Sequence, residues 1–207
     1  MLGTGSLVNN GELRYSIRSL VKNMLDLRNI YIIGERVNFL SGVVQIEKID
    51  LYKESWKNVL DKTRVACEIS YLSEEFLFMN DDFFMLSPFL GADFPFYTLE
   101  GFDGGLSGRL SYQVHCPIRY KKEWFMKMPL SVEMFGNFSP RSFYGNFYRA
   151  PAKPVQDFIV RNGLDVLDFD FQIKGKDFFS ISDQIMLDPD FVLWLDFLFP
   201  EPTCFEL

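Results

Sequence analysis

The helical segment NGELRYSIRSLVKNML (10–25), followed almost at once by RNIYIIGE (28–35), constrains this chain more than any other feature. In the first, Leu13, Ile17, Leu20, Val21 and Met24 recur at helical spacing and form one apolar stripe. Asn9 or Asn10 offers an N-cap, and Glu12 suits the positive end of the helix dipole. In the second, apolar and β-branched residues run to Gly34, the pattern of a short buried strand. The alternation continues. VVQIEKID (43–50) predicts a strand, residues 53–70 a second helix carrying Trp56, Val59, Leu60 and Cys67, and FLFMNDD (76–82) a third strand. Helices alternating with short, continuously apolar strands predict an α/β fold with a mainly parallel central sheet flanked by helices.

That regularity ends near residue 87. Residues 87–110 are rich in Gly, Pro and aromatics and predict a long loop or lid. SYQVHCPIRY (111–120) reads as a strand and KKEWFMKM (121–128) as a short helix. DPDFVLWLDFLF (188–199) reads as a closing helix, capped by Asp188 with Pro189 at its first position. There is no internal repeat or low-complexity segment, so the 207 residues read as one domain. In open α/β sheets a glycine loop joins a strand to a helix, yet LGTGSLVNN (2–10) has no strand before it. The expectation is a fold lacking its first strand, or a truncated chain.

Charge and cysteine usage narrow the function classes. A net charge of −7 argues against non-specific nucleic-acid binding, which needs a basic surface. Cys67, Cys116 and Cys204 are scattered, giving neither a disulfide framework nor a zinc set, and suit a reducing, cytoplasmic setting. The apolar runs reach about ten residues, against the ~20 of a membrane-spanning helix. The 23 Phe residues fit a large core, a sugar-stacking surface or a partner interface, and composition does not separate these.

Within FLFMNDDFFML (76–86), Asn80, Asp81 and Asp82 interrupt an otherwise apolar run. Burying ionised carboxylates costs several kcal/mol unless something pairs them. Either the run surfaces there or a cation sits there. At the carboxyl end of a parallel strand, such a pair can hold Mg²⁺ or Mn²⁺ with phosphate and water completing the shell. The plain alternative is a solvated turn. The loop Gly3, Thr4, Gly5, Ser6 before a helix can present backbone N–H groups to a phosphate. Arg14 and Arg18 lie one turn apart, and an anion would offset the cost of Arg14 in the first turn. The alternative there is a flexible start and a solvated basic face. His115, the only histidine, is the natural general base, although a lone histidine is more often structural. Beside it, Cys116 has no second histidine to activate it, which argues against a cysteine nucleophile.

Taken in order, these pieces resemble a known family. NNGELRYSIRSLVKNMLDLRNIYIIGE and SEEFLFMNDDFFML resemble the second conserved region of the Stealth sugar-phosphate transferases, and VHCPIRYKKEWF is similar to the third, built on H-x-P. RSFYGNFY (141–148) and LFPEPTCFE (198–206) resemble later segments of a related group of bacterial and phage glycosyltransferase-like proteins. A Y-T-W-V-D-G segment of the first region is absent apart from the GTGS loop, and the arginine motif of the fourth has only Arg141 and Arg149 as candidates.

The resemblance implies a glycosyltransferase-A-like fold and transfer of a sugar or sugar 1-phosphate from a nucleotide-sugar, most readily a UDP-sugar, to a glycan acceptor hydroxyl. By the same resemblance Asp81 and Asp82 hold Mg²⁺ or Mn²⁺, with Asp82 also catalytic. Gly3, Thr4, Gly5, Ser6, Arg14 and Asn80 contact the nucleotide, and His115 assists at the acceptor or at the transferred phosphoryl group. The rival expectation is a degenerate, non-catalytic binding module. A two-metal nuclease ranks below both on charge.

Overall fold

A computed structural model describes residues 10–100, 109–128, 139–156, 159–161, 166–182 and 184–207. The fold is mixed α/β. In chain order the elements are α1 (Gly11–Asn23), β1 (Tyr31–Gly34), β2 (Val44–Glu47), α2 (Ser55–Glu68), β3 (Glu75–Phe78), β4 (Phe83–Met85), β5 (Phe96–Leu99), β6 (Ile118–Lys121), α3 (Lys122–Lys127), α4 (Pro140–Phe147), β7 (Ala152–Val155), β8 (Ile159–Val160), α5 (Val166–Ile173), β9 (Phe178–Ile181) and α6 (Pro189–Leu198). Single 3-10 turns lie at Gly91–Asp93 and Ile185–Leu187. Among the described residues no helix is long and apolar enough to cross a membrane.

The chain forms two compact units, Met1–Asp50 with Asn80–Leu90 and Phe158–Leu207, and Leu51–Met79 with Gly91–Asp157. In the first unit β1 and β2 pair in parallel, Tyr31 opposite Val44. A second sheet there has the order β4-β9-β8, β4 antiparallel to β9 and β8 parallel to it. Helix α1 lies between two cores. Leu13 and Ile17 pack with Ile30, Ile32, Val37 and Leu40, while Tyr15 joins Phe84, Phe179, Phe191, Trp194 and Phe199. Helix α6 starts as its sequence dictates: Asp188 Oδ1 accepts from the N–H of Asp190 at 3.0 Å, and Pro189 fills the first position.

In the second unit β3 pairs antiparallel with β6 and β5 pairs in parallel with β7. Its core is aromatic. Tyr120 is fully buried, with Tyr144, Phe125 and Phe78 rings centred 4.9, 5.0 and 5.5 Å away. Rings also dominate the largest fully buried side chains of the first unit, such as Phe83, Phe84 and Phe179, so much of the phenylalanine excess is core.

Several expectations are corrected. A mainly parallel central sheet is not found among the described residues; the strands form four small sheets of mixed direction. The expected strand over 76–82 ends at Phe78, and a turn at Asp81–Asp82 starts β4. The strand expected over 111–120 is confined to Ile118–Lys121, because the chain bends at residues 114–116. Part of the supposed loop 87–110 is strand β5, with Phe94 and Tyr97 buried, and 101–108 lie outside the described residues. Asn10 does cap α1, but from the left-handed region (φ 57°) and without a side-chain bond. Val21, assigned to the apolar stripe, is exposed.

Candidate functional site

The Asn80-Asp81-Asp82 turn is anchored by strand β4, which begins directly after it. On β4, alternate residues serve opposite edges. Asp82 C=O accepts from Ile181 N at 3.2 Å and Leu86 N donates to Asp177 O at 2.8 Å, both toward β9. Phe83 and Met85 turn the other way, and there a helix stands where a sheet would place a strand. Ser16 Oγ donates to Phe83 O at 2.7 Å, Ser19 Oγ accepts from Met85 N at 3.0 Å, and Asn23 Nδ2 donates to Met85 O at 2.7 Å. All three helix residues are buried. Polar side chains inside a helix are costly to bury unless bonded, and the strand edge supplies their partners.

The turn itself is half-buried at Asn80, Asp81 and Asp82. Asn80 Oδ1 is buried with no hydrogen-bond partner in the protein. Two carboxylates and a spare amide oxygen are hard oxygen donors, the chemistry that Mg²⁺ and Mn²⁺ prefer. Among the described residues no group of three or more His, Cys, Asp or Glu side chains gathers as a metal centre. Two carboxylates and one amide oxygen are a donor set of the kind used by an ion that takes a few protein oxygens and completes its shell with water and phosphate. The parallel-strand argument for this position loses its premise, since β3 pairs antiparallel.

Arg14 and Arg18 have a partner that spacing alone did not suggest. Glu206, with a side chain only 4 % exposed, accepts from Arg18 Nε at 2.9 Å, Arg18 Nη2 at 2.8 Å, Arg14 Nη1 at 3.3 Å and Thr203 N at 2.9 Å. Burial alone would push the Glu206 carboxyl up, but the Arg18, Thr203 and Arg14 bonds outweigh it and hold it below the usual value. Arg14 also lies over the Phe39 ring, 4.3 Å from its centroid. Tyr15 donates to Asp196 Oδ1 at 2.8 Å, and burial, then that bond, push its phenol up to about 12. Arg18 Nη1 reaches Phe199 O at 3.1 Å and so satisfies a carbonyl at the end of α6. The anion offsetting Arg14 is thus the chain's own carboxylate. The loop Gly3, Thr4, Gly5, Ser6 lies outside the described residues.

His115 belongs to the second unit. It sits half-buried in the bend before β6, where Gln113 Oε1 accepts from Val114 N at 2.8 Å and His115 N at 3.1 Å. Arg141, buried on α4, donates to Cys116 O. Cys116 is buried, and burial pushes its thiol up to about 12 with the Arg141 charge opposing, which leaves it a poor nucleophile. Helix α4 closes tightly on Tyr112: a Cβ on Gly145 would fall 2.3 Å from the ring. Ser142 Oγ accepts from Tyr112 N at 3.0 Å, and Tyr112 donates to Ala150 O at 2.6 Å. The HCP bend and the RSFYGNFY helix are thereby joined.

The sequence motifs accordingly meet in two groups. ELRYS, NDD and the closing LFPEPTCFE come together in the first unit, and HCP and YGN in the second. Sequence reasoning missed Ser16, Ser19, Asn23 and Glu206. The spacing of the first three, i, i+3 and i+7, is a helical stripe of hydrogen-bonding residues that a scan for apolar residues passes over. No protein-family model and no curated protein matches this chain.

Proposed function

We propose that the chain is a metal-dependent transferase that moves a sugar or sugar 1-phosphate from a nucleotide-sugar to a glycan acceptor hydroxyl. The observation that carries this reading is the half-buried Asn80-Asp81-Asp82 turn, tied down from both edges of β4, with a buried amide oxygen lacking a protein partner. Asp81 and Asp82 would hold Mg²⁺ or Mn²⁺, with Asn80 beside them toward the nucleotide. The chemistry supplied by the ion when bound is neutralisation of charge on the departing nucleotide phosphate. The motif resemblance assigns Gly3, Thr4, Gly5, Ser6 and Arg14 to the donor and gives His115 the acceptor proton, general-base work of the kind an imidazole does. A glycosyltransferase-A-like fold is part of the proposal, supported by the parallel β1–β2 pair joined to α1 at the chain's start. The buried, unpaired thiols of Cys67 and Cys116 support a reducing, cytoplasmic setting.

The test is product release from UDP-sugars with Mn²⁺. UMP would mean sugar 1-phosphate transfer and UDP would mean sugar transfer, and either should vanish in Asp82→Asn. Turnover that survives Asp82→Asn would sink the assignment. A non-catalytic ligand- or partner-binding module is the second reading. The observation favouring it is the engagement of Arg14, the proposed nucleotide contact, by Glu206. Binding of a nucleotide-sugar with no release of either product would establish it.

A further inference from the structure

We infer that Ser16 is a positioning residue for the Asp81–Asp82 turn, acting through the carbonyl of Phe83; the inference rests on the divalent-cation reading of that turn. Asp82 is the hinge between the turn and β4, and two consecutive carbonyls fix it there. Its own points to β9 and accepts from Ile181 N, while that of Phe83 points to α1 and accepts from Ser16 Oγ. With both tied, the peptide plane leaving Asp82 has one orientation, and the carboxylate is presented from a fixed backbone. The bond is made away from water, Ser16 being 5 % exposed and Phe83 0 %.

Ser19 and Asn23 act elsewhere. Both hold Met85, at the far end of the strand from the carboxylates. Ser19 Oγ also donates to Ser16 O, and Asn23 Nδ2 to Ser19 O, so these two belong to the helix's own bonding as much as to the strand. Only the Ser16 hydroxyl, of these three side chains, reaches the residue next to Asp82. Removing a group that orients a metal-holding residue without touching the ion typically costs about 10- to 100-fold in metal affinity.

The experiment measures Mn²⁺ affinity of the full chain from the free-ion electron paramagnetic resonance signal, with UDP as the diphosphate probe, alongside urea unfolding of each protein. Ser16→Ala should weaken Mn²⁺ binding about tenfold, the lower end of what outer-shell changes cost, while Ser16→Thr should stay within about threefold of wild type. Asn23→Ala should lose as much stability as Ser16→Ala yet keep Mn²⁺ affinity within about twofold. Wild-type affinity in Ser16→Ala would overturn the inference. So would equal weakening in Ser16→Ala and Asn23→Ala, which would mean a general loosening of β4. Absence of Mn²⁺ binding in the wild type would instead overturn the cation reading itself, and it is seen before any variant is compared.

Discussion

Replacing Glu206 by Gln tests whether the end of the described chain is held to α1 by charge. The carboxylate takes two bonds from Arg18, one from Arg14 and one from the Thr203 backbone, and it is almost completely buried. Gln keeps one acceptor oxygen, so its N–H₂ faces a bond that Arg18 made to the carboxylate, and the Arg18 guanidinium, only 12 % exposed, is left with the more distant, half-exposed Asp196 carboxylate 3.9 Å away. Breaking a buried pair from one side costs about 3–5 kcal/mol, and the 36 % exposure of Arg14 lets water screen part of that, so about 2–3 kcal/mol is expected. For a chain of this length that is a fall in Tm of about 4–12 °C.

The dependence on pH comes from the direction of the shift. Glu206 is held below its ordinary value, so its contribution is complete above the unfolded carboxyl's pKa of about 4.3 and disappears as pH falls through the lower folded value. Urea unfolding followed by tryptophan fluorescence should show the full gap between wild type and Glu206→Gln at pH 7, narrowing only below about pH 4. A gap under about 0.5 kcal/mol at pH 7, or one that does not change with pH, would refute the reasoning.

Packing sets two further outcomes. Gly145→Ala forces a methyl to within 2.3 Å of the Tyr112 ring, which is itself tied to Ala150, and should cost about 1–3 kcal/mol in urea unfolding; a neutral variant would contradict the tight closure of α4. Cys204 is exposed whereas Cys67 and Cys116 are buried with thiols pushed up to about 12 by desolvation. One thiol per folded chain should therefore react quickly with a disulfide reagent and the other two only on unfolding; fast reaction of all three would be inconsistent with this packing.

What was legible in the sequence was local. The period of α1, the apolar runs of β1 and β2, and the Asp188-Pro189 start of α6 each depend on residues a few positions apart, and each stands where its pattern predicts. Strand direction was not legible, because β3 finds β6 across a long stretch of chain and pairs antiparallel with it. FLFMNDD reads as one strand because apolar residues flank the carboxylates on both sides; the cost of burying them is met by a turn that leaves them half-buried. Arg14 and Arg18 looked like a solvated or anion-binding face, since nothing nearby in sequence hints at Glu206, whose partners lie 188 and 192 positions away. The proposed catalytic residues were legible only as residue types. Asp81, Asp82 and His115 were each found by chemistry and order along the chain, while the helix side chains that bond the α1-facing edge of β4 fell between the apolar residues that a scan for hydrophobic period picks out.

A nucleotide–metal site at the Asp81–Asp82 turn is tested most directly by thermal unfolding with UDP, CDP and GDP, each with and without Mn²⁺. A ligand at 100 times its Kd adds about 2.7 kcal/mol, which at this chain length raises Tm by about 5–11 °C. Such a rise is expected with one nucleotide, only when Mn²⁺ is present, and it should be lost in Asp82→Ala. No rise with any pair, or a rise that survives Asp82→Ala, would contradict a site at this turn.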